Sequence, residues 1–180
     1  GTEVLTEKGY SAVGVDEILQ RTGISRCSFY YYFKTKEGFG AELIDRYRHF
    51  ITQKLERCLS DTSLSPLGSL RAFVGEVRDE MARTDCRSGC LVGKLAQEVN
   101  TLPENFREQL SAVFAEWQDV FARGLKRAQE TGEISPELDC ASTAAFFWYG
   151  WEGALQRANL ELNIKPVDIF IGNFFSRLTG

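Results

Sequence analysis

The stretch Val15–Lys36, VDEILQRTGISRCSFYYYFKTK, decides the fold, because it has the pattern of two short helices joined by a tight turn. Asp16 and Glu17 open the first helix, where the helix dipole favours acidic side chains, and Gly23 ends it. Ser25 is suited to cap the second helix by accepting a hydrogen bond from a backbone N–H two or three residues later. The sequence therefore predicts a helix-turn-helix unit.

The second of these helices has an apolar face and a polar face. Phe29, Tyr32 and Phe33 recur at i, i+3 and i+4, and we expect them to pack inward. Between Ile18 and Lys36 the chain carries four positive charges and no carboxylate, which suits a helix that lies near phosphates. An ordinary aromatic core is the alternative interpretation of the spacing alone. The residues that we expect to contact DNA are Ser25, Arg26, Cys27, Ser28, Tyr30, Tyr31 and Lys36.

These residues resemble the helix-turn-helix region of the TetR family of transcriptional repressors. The family has a glycine-aromatic pair, a turn, a Tyr-x-Tyr-Phe run and a Ser/Thr-Lys-Glu string, which here are Gly9-Tyr10, Gly23-Ile24-Ser25, Tyr30-Tyr31-Tyr32-Phe33 and Thr35-Lys36-Glu37. Two positions depart from this pattern. Cys27 stands where the family usually has glycine, and Gly14 stands where a Thr or Ser often caps the helix and contacts a phosphate. The resemblance implies a homodimer that binds a double-stranded DNA operator.

Length and composition allow a folded protein with a buried core. The chain has 180 residues, of which 43% are apolar, enough for one large or two small domains. Its five cysteines are an odd number, and no apolar run has the length of a membrane span or precedes the first helix as a signal sequence. We therefore expect a cytoplasmic protein that does not enter a membrane. The start at Gly1, inside what resembles the family's first helix, leads us to expect further residues upstream.

The net charge of −4 is distributed unevenly along the chain. Residues 1–58 carry nine Lys or Arg and eight Asp or Glu, whereas residues 59–180 carry twelve and seventeen. Attraction to DNA would then depend on a local patch and on a dimer rather than on the global charge. We place a DNA-binding domain with its connecting helix at residues 1–58 and a ligand-binding and dimerisation domain at residues 59–180.

Helical periodicity continues along the whole chain without a competing strand signal, so the predicted fold is all-α. We expect an N-terminal three-helix helix-turn-helix domain followed by a helical effector-binding and dimerisation domain. Outside the motif, the predicted helices are Thr2–Lys8, Lys36 to about Leu59, Ser69–Ala82, Cys90–Val99, Pro103 to near Gly132, Glu137–Leu162 and Val167–Leu178.

Two segments of the second half, Ser88–Val99 and Trp151–Ala158, resemble a TetR subgroup that includes the NemR and AcuR regulators. The resemblance implies a domain that binds a small-molecule effector and pairs two subunits. The last two predicted helices are apolar almost all round, which a monomer could not easily bury, and small residues would let two backbones approach closely. An intramolecular core is the alternative. The expected dimer interface is Phe146, Tyr149, Gly150, Gly153, Ala154, Phe170 and Phe174.

Candidates for the effector pocket are inward-facing residues of the middle helices, although each could equally be an ordinary core residue. Cys90 near a helix start, with Lys94 one turn later, would favour a thiolate and hence a sensor of electrophiles or oxidants. A small buried hydrophobe is the alternative for Cys90, and Cys86 could act as its resolving partner. The candidates are Met81, Cys90, Lys94, Phe114, Trp117, Phe121, Trp148 and Trp151.

No catalytic, cofactor or metal site is predicted. His49 has no nucleophile at a recognisable motif, and no glycine-rich loop follows a strand. Glu98 and Glu152 are isolated carboxylates that we expect to be solvated or hydrogen-bonded. A Cys-x3-Cys pair in a chain with one histidine is weak evidence for zinc. We predict a repressor that an effector releases from DNA; the alternative is a small-molecule-binding or protein-interaction module that no longer reads DNA.

Overall fold

The computed structural model, which describes residues 1–179, consists of helices joined by turns and short loops. No strand occurs among these residues, and the predicted all-α fold is confirmed. None of the helices in this part of the chain is long and apolar enough to cross a bilayer. The helices are α1 Thr2–Lys8, α2 Val15–Thr22, α3 Arg26–Phe33, α4 Lys36–Ser60, α5 Pro66–Arg83, α6 Leu91–Gln97, α7 Glu104–Glu130, α8 Cys140–Glu161 and α9 Lys165–Thr179.

The helix-turn-helix has the predicted boundaries. Helix α2 ends at Gly23, whose φ of 69° is left-handed and therefore suits glycine. Helix α3 follows Ser25, whose hydroxyl accepts a hydrogen bond of 3.1 Å from the backbone N–H of Ser28. Gly14 precedes α2 without any side-chain cap.

Two later helices, α5 and α8, start three residues away from the predicted position, because polar residues cap them. Helix α5 begins at Pro66, three residues before the predicted Ser69, because Ser65 accepts a hydrogen bond from a backbone N–H of the first turn and proline fits there. Helix α8 begins after Asp139, whose carboxylate accepts two such bonds, rather than at Glu137. Apolar periodicity does not report these caps.

The chain packs as two compact units, each made of segments that are distant in sequence. The first unit comprises residues 1–50 and 88–113, and the second comprises residues 51–87 and the chain from residue 114 onward. Helix α6 and the start of α7 therefore pack with the N-terminal helices. The predicted domains, 1–58 and 59–180, are each one continuous segment, whereas each packing unit combines two separate segments.

Aromatic contacts hold the first unit together around α3. Phe29 is fully buried, and its ring centroid lies 5.2 Å from those of Phe33 and Phe39. Tyr10, between α1 and α2, meets Phe106 of α7 edge to face at 5.3 Å. These contacts fix α3 against α4 and fix the corner before α2 against α7.

Stacked rings form the core of the second unit. Trp117 of α7 and Trp148 of α8 are stacked with centroids 5.1 Å apart, and both are buried. Phe147 stacks on Phe121 at 4.1 Å and on Trp151 at 5.7 Å. Helices α7 and α8 are thus joined along one aromatic seam.

Candidate nucleic-acid interface and effector domain

Helix α3 presents a continuous accessible edge on the side opposite Phe29. Arg26 and Cys27 are exposed, and the side chains of Tyr30 and Tyr31 are 39% and 70% exposed. The outward orientation predicted for these residues is confirmed. The edge offers a guanidinium and two phenolic hydroxyls, which can donate hydrogen bonds to phosphate oxygens or to acceptors on base edges.

The prediction that Tyr32 packs inward is wrong, because this side chain is 74% exposed. Helix α3 ends after Phe33, and Lys34 then adopts a φ of +63°, which turns the chain into α4. Phe39 of α4 therefore takes the place beside Phe29 and Phe33. Tyr32 lines an open groove with neighbours from three elements: Gly23, Ile24, Ser25, Ser28, Phe33, Gly38, Glu42 and Arg46.

Several side chains of this interface are held by neighbours in the same unit. Arg26 forms an ion pair with Asp16 of α2, and both side chains are exposed. Ser25 and Ser28 join their hydroxyls at 2.9 Å. The ammonium group of Lys34 donates a hydrogen bond of 2.7 Å to the carbonyl oxygen of Tyr31. The donors of the helix-turn-helix are thus oriented before any ligand arrives.

Lys36 is more enclosed than the other predicted DNA contacts. Its ammonium group donates a hydrogen bond of 2.7 Å to the carbonyl oxygen of Tyr10 and lies 4.2 Å from the centroid of that ring. Burial lowers the pKa of Lys36, and the nearby charge of Glu98 acts in the opposite direction. Lys36 is half-buried, so only part of this cation faces solvent.

The corner between α1 and α2 is fastened by Glu98, the residue that ends α6. Its carboxylate accepts hydrogen bonds from the backbone N–H groups of Tyr10, at 3.1 Å, and Ser11, at 2.8 Å. Gly9 has a φ of 83°, and a Cβ there would overlap this carboxylate. The expectation that Glu98 is hydrogen-bonded is therefore met, but its role in the corner is not visible in the sequence. In the sequence, the pair Gly9-Tyr10 is the local sign that another group lies close to the backbone there.

The predicted effector residues are divided between the two units. Phe114 is half-buried in the second unit and meets Trp117 edge to face at 5.8 Å. Cys90 and Lys94 are half-buried on or beside α6 in the first unit. The remaining candidates are buried in the second unit: Met81, Trp117, Phe121, Trp148 and Trp151.

The indole nitrogen of Trp148, in the second unit, is a buried polar atom whose burial the packing does not explain. The indole N–H of Trp148 has no hydrogen-bond partner among the described residues. A buried donor without an acceptor costs about 1–3 kcal/mol, so such a group calls for an explanation beyond packing. A bound molecule with an acceptor atom would satisfy it.

The two cysteines of the Cys86–Cys90 segment differ in their surroundings. Cys90 is half-buried and caps α6, with its Sγ accepting the backbone N–H of Gly93 at 3.4 Å. Cys86 is buried, and burial raises the pKa of its thiol. A raised pKa disfavours the thiolate form and thus thiol exchange by Cys86. No three His, Cys, Asp or Glu side chains within residues 1–179 are grouped to hold a metal ion.

The last two helices expose large apolar side chains. Phe146 and Tyr149 of α8 are 58% and 71% exposed, and Leu160 is 74% exposed on the same helix. Ile169 of α9 is 54% exposed. Gly153, also on α8, is exposed and has open space around it. We call Phe146, Tyr149, Gly153, Leu160 and Ile169 the C-terminal apolar surface.

The other residues predicted for the dimer interface pack within their own chain. A Cβ at Gly150 would overlap the ring of Phe170, so this glycine lets α9 approach α8 rather than a partner backbone. Phe174 is buried with its ring centroid 5.0 Å from that of Phe147. Ala154 is buried as well. For these positions the alternative of an intramolecular core describes the packing better.

Comparison with known proteins gives matches over nearly the whole chain. Residues 1–43 match the family model described as bacterial regulatory proteins, tetR family, and residues 66–174 match a tetracyclin repressor-like C-terminal domain. The transcriptional regulator AcuR of Cereibacter sphaeroides is 45% identical over 97% of this chain and 80% of its own length. The repressor DhaR of a Mycobacterium species is 29% identical over 99% of this chain and 88% of its own.

Solved structures share the same architecture. A regulatory protein TetR from Rhodobacter sphaeroides superposes with a TM-score of 0.94 at 45% identity, covering 97% of this chain and 92% of that one. The reduced form of Escherichia coli NemR superposes with a TM-score of 0.88 over 100% of this chain and 93% of its own. At 21% identity, the NemR match bears on the fold alone.

Proposed function

The chain belongs to the TetR family of DNA-binding transcriptional regulators, and from that premise we propose that it is a homodimeric repressor that a small-molecule effector releases from its operator. The observation that carries the proposal is the accessible edge of α3, with Arg26, Tyr30 and Tyr31 directed outward over a buried Phe29. In a dimer, two such helices roughly 34–36 Å apart would enter successive major grooves of a near-palindromic site.

Each residue of the interface has a role that its position supports. Arg26 can donate two hydrogen bonds to a guanine or to a phosphate, while Tyr30 and Tyr31 offer hydroxyl donors. Ser25 and Ser28 lie at the start of α3 and Lys36 is the first residue of α4, and all three suit phosphates. Cys27 is exposed beside Arg26, where its side chain would face the same groove.

The effector would bind in the second unit, near the stacked rings of α7 and α8. The unpartnered indole N–H of Trp148 favours a small molecule with an acceptor group, such as a carboxylate or a carbonyl. Release from DNA requires only that the effector bind one dimer conformation more tightly than the DNA-competent one. We place this activity in the cytoplasm and infer no enzymatic role.

The test is to select genomic fragments with the purified full chain and to measure their binding by gel shift. We expect Arg26→Ala, Tyr30→Phe and Lys36→Ala each to weaken binding to the selected fragment, Arg26→Ala by about tenfold or more because a bidentate contact is lost in both half-sites. The affinity should also fall steeply as the salt concentration rises. Arg83→Ala is the matched control, since Arg83 is exposed on α5 in the second unit.

Two outcomes would contradict the proposal. Binding that is unchanged in all three variants would remove α3 from the DNA interface. Failure of the wild-type chain to retain any genomic fragment would favour the alternative of a module that binds small molecules or proteins but no longer reads DNA.

A further inference from the structure

The corner that precedes the helix-turn-helix, residues Tyr10 and Ser11, is held by hydrogen bonds from the C-terminal end of α6 and the turn after it. Glu98 accepts the N–H groups of Tyr10 and Ser11 with separate carboxylate oxygens, at 3.1 and 2.8 Å. The hydroxyl of Ser11 also meets that of Thr101 at 2.9 Å. These two backbone N–H groups lie between α1 and α2, where no helix can satisfy them, so Glu98 supplies acceptors that the local chain lacks.

The same corner holds Lys36 from the other side. The N–H of Tyr10 donates to Glu98, and the carbonyl oxygen of Tyr10 accepts from the ammonium group of Lys36. One peptide unit on each side of Tyr10 thus connects the carboxylate to the cation. The ring of Tyr10 lies beneath that ammonium group and against Phe106. Lys36 is the first residue of α4 and one of the proposed DNA contacts. Its position therefore depends on the position of Tyr10.

Helix α6 has Glu98 at its C-terminal end and Cys90, the candidate sensor of electrophiles, at its N-terminal end. The helix is seven residues long, with Cys90 as its N-cap and Glu98 as its C-cap. A helix of this length spans about 10 Å, and its backbone hydrogen bonds join its two ends. A displacement of its N-terminal end would thus move the carboxylate that fastens the corner. Helices α1 and α6 pack against each other within the first unit, which makes the connection direct.

We propose that Glu98 is a positioning residue for the DNA interface, through which α6 sets the geometry of the Tyr10–Ser11 corner and of Lys36. This inference rests on the proposed DNA-binding function. With the corner fastened, the interface is preorganised, and little ordering remains for the moment of binding. Without the carboxylate, only a fraction of the molecules would present Lys36 correctly, and the apparent affinity would be multiplied by that fraction.

The experiment compares Glu98→Gln and Glu98→Asp with the wild-type chain. Gln keeps the length of the side chain but loses the charge and one acceptor, whereas Asp keeps the charge but is shorter by one methylene. We expect both to weaken binding to the selected operator fragment by about tenfold, because preorganisation is lost. Amide hydrogen exchange at Tyr10 and Ser11 should accelerate in both variants.

The control variant is Glu104→Gln, which removes a carboxylate from the exposed start of α7. It should leave exchange and affinity unchanged. A double variant, Lys36→Gln with Glu98→Gln, should lose no more operator affinity than the larger of the two single losses, because both act through one corner. If Glu98 only stabilised the fold, its loss of affinity would add to that of Lys36 in the double variant.

The outcomes separate this inference from the function on which it rests. If the wild-type chain binds no operator, the proposed function fails. If it binds and both Glu98 variants bind the operator equally well, the role of Glu98 is refuted while the function stands. Rapid exchange of the Tyr10 and Ser11 amides in the wild-type chain would also refute it.

Discussion

At the scale of single residues, the two cations that would meet DNA are held in different ways. Arg26 is paired with Asp16, and since both side chains are exposed, the pair contributes roughly 0–1 kcal/mol and can be exchanged for a phosphate or a base at low cost. Lys36 is half-buried between the carbonyl oxygen and the ring of Tyr10. Arg26 is therefore suited to reading the groove, and Lys36 is suited to fixing the register against the backbone.

Cys90 leads to a prediction about electrophiles. Its thiol is half-buried at the start of α6, whereas Cys86 and Cys140 are buried and burial raises their thiol pKa values. Because Cys27 is exposed on α3, its alkylation alone would block DNA, so the measurement is made in a Cys27→Ser background. We expect N-ethylmaleimide to release the operator fragment in that background, and the additional change Cys90→Ser to abolish the release in gel shifts.

The matched control for that experiment is Cys140→Ser in the same background. It should leave the release intact, because the buried thiol of Cys140 already contacts Gln129 and is poorly accessible. Equal release with and without Cys90 would exclude this cysteine as the sensor and leave it as a helix cap.

Local patterns predict some residues of the site and miss others for a physical reason. The outward positions of Arg26, Tyr30 and Tyr31 follow from the inward position of Phe29, because a helix relates them by its period. The role of Glu98 cannot be found in this way, since its partner Tyr10 lies 88 residues earlier in the chain. Gly150 is similar: only the packed structure shows that the space above it belongs to Phe170 of the same chain.

At the scale of helices, periodicity identifies the elements better than it identifies their ends or their last turns. The pattern of α3 places Tyr32 on the inner face, but the helix has only eight residues and reverses at Lys34. Phe39 of α4 then occupies the inner space beside Phe29. Periodicity assumes that the helix continues, and a short helix next to a turn does not meet that assumption. Longer helices such as α7 have the predicted extent.

Helix α2 provides a prediction about capping. Gly14 is its N-cap, with φ −83° and ψ 161°, no side-chain hydrogen bond and open space where a Cβ would lie. We expect Gly14→Ser to raise the free energy of unfolding by about 0.5–1 kcal/mol, through a cap on the first turn and a less flexible unfolded chain. Thermal unfolding measures the gain. Because the family often has a Thr or Ser that contacts a phosphate at this position, we also expect operator binding to become tighter.

The variant Gly14→Ala separates the two contributions to that gain. It restricts the unfolded chain as serine does, but it offers no oxygen to the helix, so the serine variant should exceed it by about 0.5 kcal/mol. Equal stability of the two variants would show that the hydroxyl does not cap α2. Tighter operator binding with alanine would likewise argue against a new phosphate contact.

At the scale of the whole molecule, chain continuity links the parts that the sequence assigns to separate domains. Helices α4 and α7 each have residues in both compact units. The family models match an N-terminal and a C-terminal segment, residues 1–43 and 66–174, in chain order. A domain prediction from sequence patterns divides the chain into consecutive segments. Packing also brings together helices that are distant in sequence, such as α1 and α6.

We expect the C-terminal apolar surface to form the dimer interface, which recognition of a two-part operator requires. Large apolar side chains at Phe146 and Tyr149 stay exposed in the single chain, and a two-fold dimer would bury each of them twice. At about 1.5–3 kcal/mol for each buried side chain, Tyr149→Glu should raise the dissociation constant of the dimer at least a hundredfold, as measured by sedimentation equilibrium. Operator binding should fall with it, because a monomer reads one half-site. Leu64→Glu is the control, since Leu64 is exposed outside this surface. A Tyr149→Glu protein that remains dimeric would place the interface elsewhere.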